Sequence, residues 1–192
     1  LDVMLVASAN PEDYTNRGRI ITPLKDRFGS QIRTHYPLEV ETEIAIMRQE
    51  SRAASIGDVT VTMPAFMERI IATFSHQARS SSHVNQRSGV SVRLSVSNFE
   101  ILSANAVRRA LRAGEKDVAP RVSDLDALAS STGGKVEIES LEEGRESLIL
   151  QQLISAAVLT VYKELAPGSM MGEVITAFET GTIAHVGEDI PS

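Results

Sequence analysis

At 192 residues, 42% of them hydrophobic, the chain is long enough for one good domain or two small ones and too apolar for wholesale disorder. It has no cysteine, which excludes disulfides, thiolate zinc sites and cysteine nucleophiles, and its net charge of −6 gives no basic footprint for nucleic acid. No uninterrupted apolar run approaches the roughly 18 residues of a spanning helix, so no membrane partner is expected.

The chain opens on LDVMLVASAN, too short and too acidic for a signal peptide, and a cytoplasmic protein is expected. It begins without Met and reads as a segment cut from a longer polypeptide. Val3 to Ala9 is a continuous apolar run, which suits a strand covered on both faces of a parallel sheet. Asn10-Pro11 ends that run, because Pro cannot donate to a ladder and restricts the residue before it. Thr22-Pro23 reads as the cap and first residue of a short helix that Gly29 stops. Gln31 to His35 is a second short strand, closed by Tyr36-Pro37.

From Leu38 the texture turns helical. Val40, Ile44 and Met47 fall at helical spacing, with Glu and Arg opposite. A second helix starts at Pro64 and carries Phe66, Ile70, Ile71 and Phe74. Ser80 to Ser88 is a polar loop. A third helix runs from about Ser91 to Ala113, burying Val96, Phe99, Leu102, Ala106 and Val107; Ser97 and Glu100 have the spacing of a capping box. SDLDALASS reads as a short capped helix and Gly133-Gly134 as a turn. Glu142 to Ala166 forms a long amphipathic helix with Leu148, Leu150, Leu153, Ile154, Ala157 and Val161 inside, and a last helix covers Met170 to Thr180.

The acidic excess lies late. The first 37 residues hold five Lys or Arg against four Asp or Glu. The four histidines, His35, His76, His83 and His185, have no metal-ligand spacing. Glu39, Glu41 and Glu43 spread round a first helical turn, where carboxylates favour the dipole. Arg108, Arg109 and Arg112 share one helix and read as a solvated face, a small anion site being the alternative. Arg17 and Arg19, in the loop before the Thr22 helix, either line a subunit interface or are solvated.

Two short stretches carry chemistry only in combination. A strand ending in Asn10 holds an amide at a sheet's carboxyl edge, where it can orient a water, although Asn-Pro alone is first a turn signal. A guanidinium at a helix end, Arg27, can reach outward to a phosphate, although Asp-Arg-Phe-Gly alone is a capped helix end.

The ordered set ASANP, TPLKDRFG and RTHYP resembles the second half of an AAA+ ATPase core, most closely the magnesium-chelatase ATPase subunit and its MoxR-type relatives. By that resemblance Asn10 matches sensor 1, which positions the attacking water. Arg27 matches the arginine finger that acts on the nucleotide of the adjacent subunit, with Asp26 beside it at the interface. Gly89-Val90-Ser91-Val92-Arg93 matches the start of the third helix of the family's helical lid, so Arg93 stands at sensor 2. The resemblance covers about residues 1 to 113. It departs in an absence: Gly134-Lys135 is followed by Val136 and has Ala129 where the first glycine of a P-loop would stand, and no apolar strand ends in Asp-Glu.

The implied architecture is mostly α with a small α/β edge of two short strands. Residues 1–37 would be the remnant of the AAA+ core, 38–113 the lid and 114–192 a helical extension. The resemblance implies ATP and Mg²⁺ as cofactors of the full-length parent, a homo-oligomeric hexameric ring, and a client protein that is remodelled or a metal that is inserted. The segment by itself is expected to be inactive. The alternative is a non-catalytic binding or assembly module, in which Met170-Met171 and the apolar stripe before them recognise a client.

Overall fold

Apolar residues recur at helical spacing from Val40 onward, and helices form there. The computed structural model describes residues 3–8, 26–85, 88–138, 144–166, 168–185 and 187. In chain order the elements are α1 (Val40–Glu50), β1 (Thr60–Val61), α2 (Ala65–Ser80), α3 (Arg93–Ala113), β2 (Asp117–Val118), a 3-10 turn (Val122–Ala127), α4 (Leu128–Thr132), α5 (Glu146–Leu165) and α6 (Gly168–Glu179). The fold is mostly helical with one small parallel sheet, in which Thr60 pairs with Asp117 and Val61 with Val118.

The strands are not where the sequence pattern placed them. Residues 3–8 have no regular structure and are exposed, and residues 31–35 likewise form no strand. An apolar run becomes a strand only when neighbours take its backbone N–H and C=O groups. Among the described residues the only named strands are β1 and β2, which pair with each other. The helix predicted to end at Gly29 is also absent over its described part, where Asp26 and Arg27 form a turn.

By contact the chain divides into two compact units, Leu1–His35 and Tyr36–Ser192. The second holds every helix named above. Its main core joins Met47 of α1, Phe74 of α2, Leu94 and Leu102 of α3, Leu128 of α4 and Val161 of α5, all at most 2% exposed. Each such side chain contributes about 1.5–3 kcal/mol by burial. A smaller cluster of Val59, Ala106, Val107, Ala110 and Val118 packs the sheet against the second half of α3. That helix stops at Gly114, whose φ of +71° turns the chain out of the helix.

Within the span read as a helical extension, α5 lays Ala157 and Val161 into the main core and reaches α2 through Gln77 and Arg69. Leu148 is exposed rather than inside, because Ile149 and Leu150 take the inward positions of that turn. By length and composition α5 is the one helix among the described residues apolar enough to cross a membrane. Its inward side packs within this unit, and its outward side carries exposed Leu159, Tyr162 and Leu165. On α6, Met171, Val174, Ile175 and Phe178 are all substantially exposed.

Candidate functional site

Asn10, Arg17 and Arg19 lie outside the described residues. Asp26 and Arg27 stand together in one exposed turn, with Phe28 half-buried next to them. No hydrogen bond or ion pair joins the Arg27 side chain to another described residue, so its charge faces solvent.

Arg93 is the first residue of α3. Its backbone N–H is held by Ser91 Oγ at 3.3 Å, and the Ser91 carbonyl accepts the Leu94 N–H at 2.9 Å. The helix therefore starts before Ser97, and the Ser97–Glu100 spacing falls in its interior. Glu100 accepts the backbone N–H of Arg52 at 3.3 Å and does not pair with Arg93. The Arg93 side chain is exposed and makes no ion pair among the described residues. An unpaired guanidinium at a helix start, where backbone N–H groups also point outward, suits an anion.

What presents Arg93 is a turn built with unusual care. Gly89 adopts φ +66°, and a Cβ there would fall 2.3 Å from the Tyr36 hydroxyl. Val90 is buried, and its carbonyl accepts Arg79 Nε at 2.9 Å. The Arg79 guanidinium stacks over the Tyr36 ring, 5.0 Å from its centroid. Its two terminal nitrogens donate to Glu43 at 2.5 and 2.7 Å. Glu43 is fully buried, and Ser95 Oγ donates at 2.5 Å to Oε1, the oxygen that also accepts from Arg79 Nη2, with Ser75 Oγ 2.7 Å from Ser95. His76 Nε2 lies 3.0 Å from the same carboxylate without hydrogen-bond alignment. One carboxylate thus ties α1, α2 and α3 together.

Sequence reasoning treated Glu43 as one of three dipole-facing glutamates. The signal that could have separated it was its position: Glu43 and Met47 are one turn apart on the buried side, whereas Glu39 and Glu41 are off that line. Arg109 was likewise grouped with a solvated face, but its side chain is 8% exposed and donates to Asp124 at 3.1 Å and to the Ala119 carbonyl at 2.8 Å. Asp124 also accepts from Asn105 and from the Arg121 backbone, so this cluster locks the 3-10 turn to α3 rather than offering an anion site.

A cleft of about 510 Å³ lies among α1, α2 and the end of α5, lined by Ile44, Phe66, Leu165 and two sets of ion pairs. Arg48 pairs with Glu68, and Arg69 with both Glu41 and Glu164. Its cations are committed to carboxylates. Among the described residues no group of three or more His, Asp or Glu is disposed to hold a metal ion.

Comparison with protein-family models, with curated proteins and with solved structures finds no match to this chain.

Proposed function

We propose that the chain is the sensor and lid portion of an AAA+ ATPase of the magnesium-chelatase and MoxR type, acting in a ring that remodels a partner protein or inserts a metal. The observation that supports this most is Arg93: a solvent-facing, unpaired guanidinium in the first turn of α3, presented by the Gly89–Arg93 turn. In this reading it contacts the γ-phosphate, Asn10 orients the water, and Arg27 acts on the next subunit's nucleotide with Asp26, Arg17 and Arg19 at that interface. A charge supplied by Arg27 would stabilise the transition state, an effect of about 10³–10⁵ in rate for such residues. Mg²⁺ would be held by an upstream P-loop and acidic strand, because this chain's described residues do not form a site for it.

The test uses a polypeptide that carries this chain behind a P-loop core. Arg27→Ala subunits, inactive alone, regain ATP hydrolysis when mixed with subunits disabled only in their P-loop, since a mixed interface pairs an intact cradle with an intact finger. If both kinds assemble and mixing restores nothing, Arg27 does not work in trans and the reading fails.

The exposed apolar residues of α5 and α6 favour a second reading, a non-catalytic binding or assembly module. Lost client binding in Val174→Asp, with ATP hydrolysis by the longer polypeptide absent from the start, would support it.

A further inference from the structure

We infer that Arg79 is a positioning residue for Arg93, and that Glu43 is the shared anchor through which it acts. The inference rests on the reading of Arg93 as the phosphate-contacting group. Arg93 itself is tied down only through its backbone, by Ser91. Its place therefore depends on what holds the turn before it and the helical turn after it. Before it, the Val90 carbonyl is gripped by Arg79 Nε. After it, Ser95 donates to Glu43. Both grips converge, because Arg79 spends its remaining nitrogens on that same carboxylate.

The geometry needs arginine. A planar fork can hold both Glu43 oxygens while its Nε reaches a carbonyl on another segment, and its flat face can stack on Tyr36. An ammonium is a single point charge and cannot do all three. Gly89 completes the arrangement, since it lets the Tyr36 hydroxyl close in where any Cβ would stand. Tyr36 is the first residue of the helical unit, so the same clamp fixes where that unit begins relative to the Arg93 turn.

Amide exchange read by mass spectrometry on the 192-residue chain tests this. Peptides spanning Val90 to Val96 are compared with control peptides from α5 and from the second half of α3, in wild type, Arg79→Lys and Arg79→Met. In Arg79→Met all peptides speed up to the extent that unpairing buried Glu43 lowers global stability, and the turn peptide speeds up roughly ten- to a hundred-fold more than the controls, the local change expected from losing the Nε bond to the Val90 carbonyl, with Arg79→Lys between. Equal acceleration of all peptides, or none, overturns the proposal. Should Arg79→Met fail to fold, Arg79→Lys decides by the same comparison.

In the longer polypeptide with its P-loop core, Arg79→Lys lowers kcat for ATP with little change in KM, and Arg93→Ala combined with Arg79→Lys is no slower than Arg93→Ala alone. Additive losses would mean that Arg79 acts apart from Arg93 and would overturn the proposal. If Arg93→Ala leaves hydrolysis unchanged, the phosphate reading falls, while the exchange comparison still decides whether Arg79 sets the turn.

Discussion

The Glu43 carboxyl group sits at zero exposure among Arg79, Ser95 and His76, and that placement decides what its loss does. Glu43→Ala leaves the Arg79 guanidinium, itself only 11% exposed, without its carboxylate. Breaking a buried pair by removing one partner costs about 3–5 kcal/mol, and urea unfolding of the chain should show a loss of that size. Gly89→Ala is a smaller perturbation of the same corner. A side chain at φ +66° loses about 1–2 kcal/mol, and the Tyr36 ring must also swing away from Arg79. The rim pairs behave differently. Arg48 and Arg69 are held above their ordinary pKa, first by hydrogen bonds to Glu68 and Glu164 respectively. A raised pKa gives stability that is present below the unfolded value and lost only as pH rises through the folded one. Both values lie beyond mildly alkaline pH, so the unfolding midpoint of Arg48→Gln should differ from wild type by the same amount at neutral and at mildly alkaline pH.

At the scale of elements, the helices were legible and the strands were not. Helical periodicity over eleven or more residues repeats its own evidence several times: α1 and α2 begin, and α3 and α5 begin and end, within a few residues of their predicted bounds. Strand identity depends on partners, which a single segment such as Val3 to Ala9 does not encode. The two-residue strands that do form, Thr60–Val61 and Asp117–Val118, are too short to leave a pattern. Arg93 could be placed at a helix start from its spacing, but Arg79 and Tyr36 could not be linked to it, since residues 36, 79 and 89 meet only in three dimensions. The inward stripe of α5 gives an element-scale prediction. Ala157 is fully buried, and Ala157→Leu should destabilise the chain by about 1–3 kcal/mol through overpacking. Leu159 is half exposed, and Leu159→Ala should stay within about 0.5 kcal/mol of wild type.

For the whole molecule, the unit Tyr36–Ser192 builds its core from its own helices. A chain beginning at Tyr36 should therefore still unfold cooperatively in urea and keep its helical circular dichroism. The full 192-residue chain should not hydrolyse ATP, because P-loop amides and a lysine supply most phosphate contacts and this sequence has no P-loop. Turnover above a buffer blank that survives a second purification would contradict that.

The reach of α5 back to α2 has a temporal side. Gln77 meets Thr160 across 83 residues, and Arg69 meets Glu164 across 95. During synthesis α2 emerges long before its partner. At about 5–20 residues per second, the roughly 85 residues from the end of α2 to the end of α5 take about 4–17 s to appear. For that interval the flank of α2 bearing Arg69 and Gln77 waits uncovered on every nascent chain. Ribosome-bound chains stalled after Ala113 should accordingly be captured by general chaperones, and chains stalled well past Leu165 released from them.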